Sequence, residues 1–167
     1  MPVPLDIEDL TELFRRLDAS DPEGRARSQV NEGINQLHRY LFLRQAWSRV
    51  VTEGDQSWID DAISNSTKRP DAPYAGIGHS LNRLLAAGAS RNDLVDLARG
   101  MQARLLFDIC YLLDDPSLEE PELADLGWSI VETGSDLEPT RNVIRGLHES
   151  VLETDPTKRE MRPRKSP

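Results

Sequence analysis

Asp108 and Arg44 are charged residues set into apolar stripes of helical spacing: Leu105, Asp108, Ile109 and Leu112 in one stretch, Leu37, Leu41, Arg44 and Val51 in another. Opposite charges on core-facing stripes must pair or line a wet cleft, because an isolated buried charge is too costly to keep. The pattern favours a structural ion pair; the alternative is a catalytic or ligand-binding carboxylate in a pocket around Asp108, Arg44 or His148. Gly146-Leu147-His148-Glu149-Ser150 places an imidazole, a carboxylate and a hydroxyl side by side. Adjacent residues rarely supply the geometry of a catalytic triad, however, and His148 lacks the second His that a zinc motif requires. His38, His79 and His148 are far apart and read as structural or surface histidines. Cys110 lies among Leu106, Ile109, Tyr111 and Leu113, the setting of a small buried apolar residue, and the nearby acids oppose a thiolate. Gly76-Ile77-Gly78, after Lys68-Arg69, has ingredients for an anion site at a helix start. It lacks the preceding strand and third glycine of a dinucleotide fingerprint, and close packing accounts for both glycines. No catalytic, cofactor-binding or metal-binding residue is assigned, and no cofactor is expected.

The strongest pointer is to a partner. Between Arg104 and Arg141 stand Asp108, Asp114, Asp115, Glu119, Glu120, Glu122, Asp125, Glu132, Asp136 and Glu138, with no Lys, Arg or His among them. Such a block repels itself unless water, a cation or a basic surface screens it. Asp114, Asp115, Glu119, Glu120, Glu122 and Asp125 are the candidate partner-binding residues, with Trp128, if exposed, as aromatic anchor. Two other readings stay open: a solvated linker, and a basic tail folded back onto the acids. A calcium loop is disfavoured, since the alternating ligand spacing and central glycine are missing.

Composition sets the outer bounds. The 167 residues suit one domain that folds without disulfides or metal. Hydrophobic residues at 38% and charged residues at 29% match an ordinary globular protein, and the apolar runs are far too short to cross a bilayer. The N-terminus lacks the basic start and apolar stretch of a secretory signal, and the single Cys110 has no internal partner, so a reducing cytoplasm is expected. Net charge is −9; the last eleven residues carry Lys158, Arg159, Arg162, Arg164 and Lys165 against Glu160, so removing their +4 leaves −13. A body this acidic disfavours nucleic acid and anionic lipid as partners and favours a basic protein.

The elements that must position these residues are mostly helical. Ile7, Leu10, Leu13, Phe14 and Leu17 form one stripe behind an Asp6 cap, in a helix expected to end near Ala19. Asp21-Pro22-Glu23 opens a second, long helix through Trp47 to Gly54, or one bent near Gly33. Trp58, Ile59, Ala62 and Ile63 mark a third, opened by a Ser57–Asp60 capping box. Ile77, Leu81, Leu84 and Leu85 mark a fourth; a Ser90–Asp93 box opens a fifth, which ends at Asp114-Asp115-Pro116 and whose apolar residues near that end place it mid-bundle. Trp128, Ile130 and Val131 suggest a strand paired with Val143-Ile144, and Leu147, Val151 and Leu152 a last helical turn.

Trp58 through Asp115, with Trp-Ile-Asp-Asp-Ala-Ile, Lys-Arg-Pro-Asp-Ala-Pro-Tyr-Ala-Gly and Asp-Leu-Ala-Arg-Gly-Met-Gln-Ala, together with Gly146 through Pro156, resembles small bacterial helical proteins of unknown function. In size, acidity and helicity the chain is also similar to immunity proteins that neutralise bacterial toxins, an analogy that carries over no site residues.

The expected fold is mainly α: about five helices, a bundle over 5–114, an acidic C-terminal subdomain over 115–155 with a small hairpin or irregular structure, and a basic tail over 156–167. The expected function is non-enzymatic: an acidic immunity-type inhibitor occluding a basic site on a protein partner such as a toxin. The alternatives are a small-ligand-binding protein or enzyme, and a self-associating homodimer through the Trp47/Trp58 region.

Overall fold

A computed structural model describes residues 6–115, 118, 120–123 and 125–164. The described residues form α1 Ile7–Arg16, α2 Pro22–Glu32, α3 Gln36–Trp47, α4 Ser57–Lys68, α5 Ala75–Ala86, α6 Arg91–Asp114 and a short α7 Leu147–Ser150. A 3-10 turn at Pro121–Leu123 and two strands, β1 Ile130–Thr133 and β2 Pro139–Ile144, complete them. The mainly α class and the C-terminal hairpin are as expected; among the described residues there are seven helices, against the expected five or so and a last helical turn.

The chain divides into two compact units, Met1–Trp47 with Leu105–Pro167, and Ser48–Arg104. The divisions fall at 47/48 and inside α6, not at the composition changes near 114 and 155. Charge and proline mark those changes, whereas compactness follows apolar burial, and Ile144, Leu147 and Val151, which follow the acidic block in the chain, are buried.

In the first unit, Asp6 caps α1 by accepting from the Asp9 amide at 2.8 Å, and Asp21 caps α2 by accepting from the Gly24 amide at 3.1 Å. The expected long second helix is two helices. Gly33, at φ +70°, ends α2, and the Gln29 side chain satisfies the start of α3 by accepting from the Leu37 amide at 2.8 Å. Leu10, Phe14, Ala26, Leu37 and Tyr40 form the core between α1, α2 and α3. The Tyr40 hydroxyl donates to the Leu17 carbonyl at 2.8 Å and meets Phe14 edge-on.

The segment around α7 locks onto this core. The Trp47 indole donates to the Val151 carbonyl at 2.9 Å, and Arg39 donates to the Gly146 carbonyl and the Ser150 hydroxyl, both at 3.2 Å. Arg25 reaches Glu153 at 2.7 Å and lies over the Tyr40 ring. Both guanidiniums are buried, and burial lowers the Arg39 pKa from its ordinary value. Asp155, also buried, accepts from the Thr157 amide and hydroxyl and from the Met161 amide, so residues 157–161 wrap a carboxylate instead of trailing as a tail.

The hairpin pairs Ile130 with Ile144, Val131 with Val143 and Thr133 with Pro139, antiparallel, with a register shift between Val131 and Thr133. Glu132 sits at that irregularity, a place where sheets redirect a side chain.

In the second unit, Ile59, Leu81, Leu94 and Val95 form the core of α4, α5 and the start of α6, with Val51, Trp58 and Leu85 packed against it. Buried Arg99 donates to the Val51 carbonyl at 2.8 Å. On the surface Asp60 and Arg91 make a two-pronged pair at 2.6 and 3.1 Å, and the hydrogen bond from Arg91 holds the Asp60 carboxyl below its usual range. The expected Ser57–Asp60 box is absent: Gln56 precedes the first turn without a side-chain cap, and Asp55 accepts from the Ser57 amide at 2.9 Å. The Ser90–Asp93 box is half made, through a long 3.4 Å bond from the Asp93 amide.

The fifth sequence helix, α6, is not enclosed on all sides. Leu97, Met101, Leu105, Ile109, Tyr111 and Leu112 are exposed, while Leu94, Val95, Ala103 and Cys110 are buried. Periodicity counts apolar side chains but does not reveal how many of them neighbouring elements cover.

Candidate functional site

The acidic segment separates into inward and outward carboxylates. Asp114, whose side chain is 6% exposed, closes α6 by accepting from both the backbone amide of His148 at 2.9 Å and its Nδ1 at 2.6 Å. Phe107 and Tyr111 meet the same imidazole edge-on. Asp114 is therefore occupied in fixing α7, so it is withdrawn from the expected partner face, and His148 is a structural histidine. Asp115, Glu120, Glu122 and Asp125 are exposed. Among the described residues, no ion pair engages Glu120, Glu122 or Asp125. Glu119 lies outside the described residues. Trp128 is 44% exposed, and its indole donates to the Leu112 carbonyl at 2.8 Å, which fixes the ring at the end of α6 beside exposed Tyr111 and Leu112.

Of the basic residues near the C-terminus, Lys158 pairs with Asp18 and Arg162 with Glu160, each at 2.7 Å.

Arg44 and Asp108 are both exposed, so neither is the buried charge that the stripes implied. The stripe of Leu105, Ile109 and Leu112 is exposed along its length, and in α3 exposure begins at Leu41 while Leu37 stays in the core. Arg44 lines a small cavity of about 180 Å³ with Asp18, Tyr40, Glu153 and Lys158. Trp47 is 2% exposed, which removes it from any dimer surface.

Cys110 is fully buried, and burial followed by the nearby Asp114 charge pushes its thiol up to about 11. The thiol thus stays protonated at neutral pH, as a structural residue should. Alkylation by iodoacetamide near pH 8 is expected to be at least ~100-fold slower in the folded chain than in urea. Comparable rates, followed by mass spectrometry, would show that the thiol is accessible and activated.

The convergent polar site was not the one expected. A cleft of about 400 Å³ opens between the α2–α3 turn and the hairpin, lined by Gln29, Asn35, His38, Glu132, Arg141 and Asn142 among others. Glu132 Oε2 accepts from the Asn35 amide at 3.3 Å and from the Asn142 amide at 3.0 Å. Asn35 Oδ1 in turn faces His38 Nδ1 at 2.8 Å. With its amide nitrogen given to Glu132, Asn35 presents an acceptor to the ring, so neutral His38 carries its proton on Nδ1 and keeps a lone pair on Nε2. That nitrogen stands 3.8 Å from Glu132 Oε1. Only two sequence signals marked this site: Asn35 and His38 one turn apart, and a carboxylate inside a short apolar strand.

A larger cleft of about 680 Å³ in the second unit joins Trp58, Lys68, Arg69 and Tyr74 to Ala75 and Ile77 at the start of α5. Lys68 and Arg69 do therefore share a cleft with that helix start, although Asp61 also lines it. Among the described residues, no group of three or more His, Cys, Asp or Glu is placed to hold a metal ion, and no helix is long and apolar enough to cross a membrane. No protein-family model matches the chain, and no curated protein or solved structure matches it.

Proposed function

We propose that this chain is a non-enzymatic protein-binding module of the cytoplasm, most concretely an acidic immunity-type inhibitor that covers a basic site on a partner protein. The observation that carries this reading is the half-exposed Trp128, held by its hydrogen bond to Leu112 in the same segment as the exposed carboxylates Asp115, Glu120, Glu122 and Asp125. A fixed aromatic anchor with a polar rim has the anatomy of an interface hot spot. The carboxylates steer a basic partner in, and the indole with Tyr111 and Leu112 supplies the apolar contact. The engagement of Lys158 with Asp18 and of Arg162 with Glu160 keeps those two cations from Glu120, Glu122 and Asp125.

Replacing Glu120, Glu122 and Asp125 together by Lys is expected to slow association with the partner about 10-fold or more at low salt, with the difference shrinking as salt is added. Affinity capture from the host lysate supplies the partner, and surface plasmon resonance measures the rate. An unchanged low-salt rate in the triple variant would remove the electrostatic mechanism. The second reading, a small-ligand site, is favoured by the cleft at His38 and Glu132 and by the smaller cavity that Arg44 lines.

A further inference from the structure

We propose that the cleft between the α2–α3 turn and the hairpin binds a small zwitterion, with a primary ammonium between His38 Nε2 and Glu132 Oε1 and an acid group at Arg141. Two acceptors 3.8 Å apart face each other across this cleft: the lone pair that Asn35 leaves on His38 Nε2, and the one Glu132 oxygen that the Asn35 and Asn142 amides do not take. A group carrying two or more N–H donors bridges such a pair, and a primary ammonium does so while also meeting the charge of the carboxylate. A metal ion fits poorly, because His38 and Glu132 are the only two His, Cys, Asp or Glu residues among the described residues that line the cleft.

A second charge on the hairpin wall completes the choice. Arg141, exposed on β2, lines the same cleft and has no carboxylate partner among the described residues. A purely cationic ligand leaves that guanidinium unmatched, and a purely anionic one is repelled by Glu132. A molecule with an ammonium at one end and a carboxylate at the other satisfies both, and guanidinium–carboxylate geometry favours a two-pronged contact. The volume of about 400 Å³ lies within the range of small-molecule sites and suits an amino-acid-sized ligand. The scaffold is also preorganised: the register shift at Glu132 aims its carboxylate at two amides, one from each wall of the cleft.

The test is an NMR titration of the isotopically labelled full chain with β-alanine, γ-aminobutyrate and ε-aminocaproate, beside butylamine and butyrate at equal concentration. Saturable shifts of the Asn35 and Asn142 side-chain amides are expected with at least one zwitterion, tighter than with either singly charged compound. Glu132→Gln and Arg141→Gln should each weaken that binding about 10-fold or more. Arg141→Gln changes an exposed strand position, so the comparison stands even if the Glu132 variant folds poorly. No saturable shift with any of the three zwitterions, or butylamine binding as tightly as they do, would overturn the proposal. So would undiminished zwitterion binding in folded Arg141→Gln.

Discussion

Trp47→Ala should cost about 3–5 kcal/mol of stability, the usual range for removing a fully buried aromatic side chain. At 2% exposure the indole fills space between α3 and the α7 segment, and its Nε1 donates to the Val151 carbonyl at 2.9 Å. A domain of this kind has only about 5–15 kcal/mol in hand, so the variant lies close to unfolding at room temperature. Trp47→Phe separates packing from hydrogen bonding. It retains most of the apolar volume, and the Val151 carbonyl keeps the Thr154 amide at 3.3 Å as a donor. Its cost should therefore be nearer 1 kcal/mol, about the net value of one hydrogen bond. Urea denaturation followed by far-ultraviolet circular dichroism measures both. If Trp47→Ala lost no more than Trp47→Phe, the indole would not be anchoring the C-terminal segment.

Trp47 also shows where sequence reading stops. Its helical stripe was legible, yet the same stripe is compatible with a core anchor or a dimer face, and only the Val151 carbonyl decides between them. The break between α2 and α3 was legible as a bend at Gly33. What makes it a clean break is the Gln29 side chain bonded to the Leu37 amide, a contact that no local pattern announces. The sequence makes Asp114 a candidate partner-binding carboxylate because it stands in an acidic run with no basic residue to pair with. His148 reverses that by bringing two donors to one carboxylate oxygen, a tertiary arrangement that composition does not encode. The hairpin cleft was hidden for the same reason: Asn35, His38, Glu132 and Asn142 are ordinary polar residues until the fold sets them within hydrogen-bonding distance.

The two glycines of Gly76-Ile77-Gly78 are expected to respond in opposite directions. Gly78 is buried where α5 crosses α4, and a Cβ there would meet the Ala62 carbonyl oxygen and the Ser66 hydroxyl more closely than real side chains approach. The Ala62 obstacle is backbone, and the Ser66 hydroxyl is held by donating to the Ile63 carbonyl at 2.9 Å, so neither yields without moving a helix. Gly78→Ala should destabilise by about 3 kcal/mol, at the upper end of overpacking costs. Gly76 is exposed, has open space around its would-be Cβ and lies in α5 without a positive φ. Gly76→Ala should therefore stabilise by about 0.5–1 kcal/mol, because alanine loses less conformational freedom on entering a helix. Urea titrations of both variants decide the matter. A Gly78→Ala chain as stable as the parent would mean that α4 and α5 do not approach at this point. The sequence marks both positions with the same letter, and close helix packing explains only Gly78, since steric neighbours and not glycine itself set the sign of each substitution.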